Sequence, residues 1–190
     1  MIKIFRNNNF DFTHEREGVR MVINALNNSK SLKEEVHILL NIQLPEVVHK
    51  REKLGEVIER TLYNCSPDMI VIKKDSICVV EMKSHVGTID FPLNRSDTYV
   101  NEWVSNMSST KSIIINEGKP NPYKQVNNNA QAFEAYLASI GSEILSNDAI
   151  GSRWDLIERF ILFTHPNVDF KYSKAQRNEV GNWFRRFHVG

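Results

Sequence analysis

Two carboxylates and a lysine surround one short hairpin: Asp68 precedes it, and Glu81 and Lys83 close its second strand. That set suits metal-assisted cleavage of a phosphodiester. Acidic oxygens hold a hard divalent cation, and an ammonium steadies the charge that builds on phosphate. The register supports this. Residues 69–72 (Met-Ile-Val-Ile) and 77–80 (Ile-Cys-Val-Val) are apolar, largely β-branched runs joined by a polar turn at 73–76. With a two- or four-residue turn, Ile72 lies across from Ile77, and the ladder carried outward sets Asp68 opposite Glu81. Directly paired residues share a face of the sheet, with Cβ atoms about 4.5–5.5 Å apart. Two carboxylates so close repel each other unless a cation lies between them. Lys83, two residues past Glu81, points to the same side.

These residues need a scaffold, and the chain is long enough to build one. Its 190 residues, 41% hydrophobic and 25% charged, describe one ordinary globular domain with a proper core. A net charge of +1 gives no global pull onto nucleic acid, so contact with DNA requires a local basic patch. The cysteines, Cys65 and Cys78, make neither a disulfide framework nor a zinc spacing, and Cys78 reads as an inert thiol in an apolar strand. The six histidines show no metal-ligand spacing. Without an apolar leader or a membrane-length apolar run, the expected compartment is the cytoplasm, with no membrane partner.

The elements follow from periodicity and punctuation. Thr13 is a plausible N-cap for a helix reaching residues 27–29, with Val19, Val22, Ile23 and Leu26 on its apolar side. That stripe extended backwards lands on Glu15, an acid in line with a buried face, with Glu17 as the alternative. Residues 36–44 read as a strand ending at Pro45. The charged stretch 46–53 reads as a solvated loop or short helix, and 57–63 fits either a strand or a helical turn. After the hairpin, a polar region extends to about Ser109, pinned by Tyr99 and Trp103; a short strand follows at 112–115. Asn121 as N-cap and Pro122 at the first helical position start a second helix. Its stripe is Val126, Ala130, Phe133, Leu137 and Ile140, and Gly141 is expected to stop it. Gln125 and Asn129 lie on one flank of the stripe. Phe160 to Phe163 is a buried strand, and Lys174 to Phe187 a final basic-aromatic helix. The whole is a single domain over residues 1–190, with a core at about 13–166 and a helical tail at 167–190.

Pro67-Asp68 followed by Glu81-x-Lys83 resembles the signature of the PD-(D/E)xK nuclease superfamily. The run from Val79 to Ile89, with Glu81, Lys83 and Gly87 at its fixed positions, is similar to the heart of the NERD (nuclease-related) domain. Asn121-Pro122-Tyr123-Lys124-Gln125 matches that family's Asn-Pro-x-x-Gln at the start of its second core helix, and Glu15 fits its leading glutamate. The resemblance covers roughly residues 13 to 165. Ser66-Pro67-Asp68 departs from the Glu-Ile-Asp of many relatives, and the segment from Pro45 to Ser66 is longer than theirs.

The resemblance implies an α/β fold with a restriction-endonuclease-like core, a mixed β-sheet flanked by helices in the order helix-strand-strand-strand-helix-strand. It also implies a metal-dependent nuclease acting on DNA by a one- or two-metal mechanism. Asp68, Glu81 and the Met82 carbonyl would bind Mg²⁺ or Mn²⁺. Lys83 would orient or help deprotonate the attacking water, and Gln125 would hydrogen-bond that water or a phosphate. Glu15 would reach the metal through water or hold Lys83.

Blander readings stand beside these. A Glu-x-Lys on a strand is often a solvent-facing ion pair, but here the preceding residues are apolar on both faces, as in buried central strands. His85 would share the face of Glu81 and touch phosphate if the strand continues that far. Arg185 and Arg186, with Arg177 and His188 among Trp183, Phe184 and Phe187, would clamp a nucleic-acid backbone or simply form the basic face of an amphipathic helix. The alternative function is an inactive nucleic-acid- or partner-binding module of the same fold. A homodimer, or attachment to further domains, stays open.

Overall fold

The computed structural model describes residues 1–6, 13–29, 34–53, 56–74, 76–94, 101–144, 157–177 and 187–190. Strands β1 (Ile2–Arg6), β2 (Val36–Leu40), β5 (Met69–Ile72), β6 (Ile77–Lys83), β10 (Ile157–Phe163) and β12 (Phe187–Val189) form a six-stranded sheet in the order β1-β2-β5-β6-β10-β12. Strand β5 is antiparallel to both neighbours, whereas β1–β2, β6–β10 and β10–β12 are parallel. Among the described residues two further sheets stand beside it. One is a ribbon of β3 (Val47–Lys53) and β4 (Glu56–Leu62). The other contains β7 (Gly87–Asp90), β8 (Val104–Ser108), β9 (Lys111–Ile114) and β11 (Val168–Phe170), ordered β11-β7-β8-β9.

The central sheet is apolar on both faces because each face is covered. Helix α1 (Thr13–Asn28) lays Val19, Val22, Ile23 and Leu26 against Met69, Val80 and Met82. Helix α2 (Pro122–Ile144) packs Val126, Ala130 and Phe133 against Ile70, Val79 and Ile161 on the other side. Alternation along β6 therefore turns Val80 and Met82 towards α1, and Val79, Glu81 and Lys83 towards α2. The fold is the mixed α/β architecture expected, consistent with a restriction-endonuclease-like core.

Several local expectations need correction. Strand β2 stops at Leu40, short of residue 44, because Asn41 takes a left-handed backbone (φ 50°). Residues 47–53 form strand β3, neither loop nor helix. It pairs along its length with β4, and Val47, His49 and Leu62 are buried. Helix α2 runs through Gly141 to Ile144, since one helical glycine costs only about 1 kcal/mol. The polar region before Ser109 holds β7 and β8, whose few buried residues are too sparse to show a period. Trp103 does pin it, stacked on Phe91 with ring centroids 4.3 Å apart; Tyr99 lies outside the described residues.

The tail is not helical at its end. Residues 187–189 are strand β12, an edge strand parallel to β10. Its register is held by Gly190 N–H on the Ile161 carbonyl and Phe163 N–H on the Gly190 carbonyl. Residues 178–186, with Trp183, Phe184, Arg185 and Arg186, lie outside the described residues. Strand β1, absent from the expected order, adds an edge beside β2.

Candidate active site

The β5–β6 ladder has the register anticipated: Met69 pairs with Val80 and Ile72 with Ile77, so the next step outward sets Asp68 beside Glu81. Asp68 lies just past the strand end, and its Oδ2 accepts the Met82 backbone N–H at 2.6 Å. The Lys83 carbonyl faces the other way, accepting the Thr164 N–H at 3.0 Å. Backbone groups alternate sides along a strand, so the Met82 carbonyl turns towards the Asp68 side.

Glu81 is 1% exposed and Lys83 9%. The Lys83 ammonium donates to Glu81 Oε1 at 2.9 Å and to Gln125 Oε1 at 3.0 Å. Gln125 Nε2 donates to Glu81 Oε1, and Asn129 Nδ2 to Glu81 Oε2 at 3.1 Å. Both amides come from the first turns of α2, whose start is fixed by Asn121: its Oδ1 caps the Lys124 N–H at 2.8 Å. Asn116, in a left-handed turn after β9, gives its Nδ2 to Gln125 Oε1 at 2.7 Å. With two donors on its oxygen, the Gln125 amide can only direct its nitrogen at Glu81.

Burial is the main force on the Glu81 carboxyl and, with the neighbouring Asp68 charge, pushes its pKa up to about 7. The Lys83 ammonium and the hydrogen bonds from Lys83 and Asn129 pull the other way. A carboxyl so placed is poised to gain from a cation.

The donor set suits one. Among the described residues no three His, Cys, Asp or Glu side chains converge as a complete metal cage. Two carboxylates and a carbonyl are nevertheless the oxygen donors that Mg²⁺ or Mn²⁺ takes when water and substrate phosphate supply the rest. A further acid, Glu15, is linked to this strand end through Asn41. It is buried on α1, and its Oε2 accepts Asn41 Nδ2 at 3.3 Å, while the Asn41 N–H donates to the Asp68 carbonyl at 3.2 Å. Glu17, the alternative, pairs with Arg20 at the surface.

Other candidates fall away from this cluster. Strand β6 ends at Lys83, so His85 lies in the connection to β7 and does not continue the Glu81 face. Arg177 is spent on the Tyr172 carbonyl and the face of Phe170, and His188 lies 3.9 Å from Glu158. Asn129, Asn116 and Asn41 had no role assigned from sequence. Asn129 alone had a usable signal, its place one helical turn after Gln125.

A comparison with family models matches residues 14–164 to the nuclease-related domain, NERD. The chain belongs to the nuclease-related domain family. NERD is part of the PD-(D/E)xK superfamily, and the match spans both core helices and β2 to β10. No curated protein and no solved structure matches the chain. Among the described residues no helix is long and apolar enough to cross a membrane.

Proposed function

We propose that this NERD chain is a metal-dependent nuclease that hydrolyses phosphodiester bonds in DNA, with Mg²⁺ or Mn²⁺ as cofactor. The reading rests on one observation above all: the buried contact of Glu81 with Lys83 and Gln125, beside Asp68, at the end of a central strand. A structural ion pair would not need two further amides and a second acid.

Asp68, Glu81 and the Met82 carbonyl would hold the cation. When bound, it would polarise the scissile phosphate and acidify a water for attack. The Lys83 ammonium has three N–H donors, of which Glu81 and Gln125 take two. The third is free to orient the attacking water or to meet a phosphate oxygen, and its charge steadies the pentavalent phosphate. Gln125 and Asn129 hold Glu81 in place, and Asn116 holds Gln125.

The test is cleavage of labelled single- and double-stranded DNA in Mg²⁺, Mn²⁺ or EDTA, with folding checked by circular dichroism. Cutting should need the metal and be lost in folded Glu81→Gln and Lys83→Ala. Cutting that survives EDTA or either substitution sinks the mechanism. Metal-independent DNA binding without cutting would instead point to an inactive binding module.

A further inference from the structure

We infer that Asn41 is a positioning residue that couples Glu15 on α1 to Asp68 at the head of β5, so that Glu15 reaches through water the cation that Asp68 binds. The inference rests on the nuclease reading above and extends it to a residue outside the metal-binding set.

Asn41 follows the last residue of β2 with φ 50°, a left-handed conformation that asparagine and glycine tolerate and most residues do not. That twist serves two bonds at once. The backbone N–H reaches the Asp68 carbonyl at 3.2 Å, and the side-chain amide reaches Glu15 Oε2 at 3.3 Å. One residue thus ties α1 to the strand end that carries Asp68.

The chemistry of the tie matters as much as its position. Glu15 is 7% exposed, and a buried carboxylate needs a partner. A lysine or arginine would cancel its charge. The Asn41 amide satisfies an oxygen while leaving the negative charge uncancelled, as is required of an acid that is to face a cation. Neutral outer partners of this kind orient metal-binding acids, and losing one weakens metal affinity by roughly 10- to 100-fold.

Asn41→Gly separates the two bonds: glycine keeps the left-handed backbone and its N–H but removes the amide. The full chain is titrated with Mn²⁺ by calorimetry, alongside Glu15→Gln and the double variant, with melting curves for each and kcat and KM on DNA. Asn41→Gly should melt within a few degrees of wild type and bind Mn²⁺ about tenfold or more weakly. It should lose kcat with little change in KM. The double variant should be no weaker than Glu15→Gln alone, because both changes break one link. Should Asn41→Gly fail to fold, Asn41→Ser, whose hydroxyl is too short to replace the amide, must show the same loss of affinity.

Wild-type Mn²⁺ affinity in Asn41→Gly, or losses that add in the double variant, overturns the coupling while leaving the nuclease reading intact. A wild-type chain that binds no Mn²⁺ and cuts no DNA overturns both.

Discussion

The Asp68 carboxylate accepts the Met82 backbone N–H at 2.6 Å, standing where the next carbonyl of β5 would have stood. One acid therefore finishes the hairpin while standing beside Glu81. Asparagine preserves the acceptor but not the charge, and alanine preserves neither. Asp68→Asn is expected to stay within about 1 kcal/mol of wild type, while Asp68→Ala loses about 1–3 kcal/mol by orphaning the N–H. Both should lose metal-dependent cleavage. Urea melts beside cleavage assays check this, and an active Asp68→Asn would remove the metal role.

Lys83 is the only cation hydrogen-bonded to Glu81 among the described residues. Lys83→Met should lower kcat by about 100- to 1,000-fold, the size expected for losing a donor to developing phosphate charge. Lys83→Arg should not restore activity, since a planar fork cannot satisfy Glu81 and Gln125 as the compact ammonium does. Single-turnover cleavage at saturating DNA decides it, and a fully active arginine variant counts against the assigned geometry.

Stability should fall as pH rises through neutrality in metal-free protein. Burial pushes Glu81 up to about 7 and Glu134 up to about 8, both from an ordinary value of 4.5. A carboxyl with a raised folded pKa binds its proton more tightly when folded. Its contribution is complete below about 4.5 and is lost progressively as pH rises to about 8. Glu35 behaves oppositely: Lys3 and His37 pull it down to about 2, so its contribution fades only below 4.5. Urea melts from pH 5 to 8 should show the decline. Glu81→Gln and Glu134→Gln should each flatten part of it. Mn²⁺ should reverse the slope, because the cation needs ionised carboxylates. A flat wild-type profile would refute the assigned burial.

Gly18 sets how closely α1 approaches the site. A Cβ there would overlap Met82 Sδ and come within 3.1 Å of Thr164 Cγ2, so the buried Met82 side chain would have to shift. Gly18→Ala should cost about 1–3 kcal/mol by overpacking and should also impair cleavage, since α1 carries Glu15. Met82→Ala in the same chain should recover part of the stability. Melting temperatures of the three variants test this, and an unperturbed Gly18→Ala would show that the helix shifts freely.

Much of the site was legible because it is local. The hairpin's β-branched runs and turn length dictate the register, and register alone aligns Asp68 with Glu81 and turns Lys83 to the same face. The helix starting at Asn121-Pro122 was equally plain, since caps act within one turn. The ribbon at residues 47–62 was hidden. Half of its strand residues are charged and few are buried, so pairing across the ribbon, not a hydrophobic period, makes them strands.

What the sequence determined by itself was therefore the chemistry: two acids, a lysine and a glutamine at spacings that strand alternation and helical turns convert into shared faces. Tertiary structure alone decided which groups complete it. Asn129 closes on Glu81 only because α2 lies across β6, and Asn41 bridges Glu15 to Asp68 only because α1 and β2 meet at that strand end. Contacts between segments far apart in the chain depend on how two covered faces of one sheet are packed, and no local spacing encodes that distance.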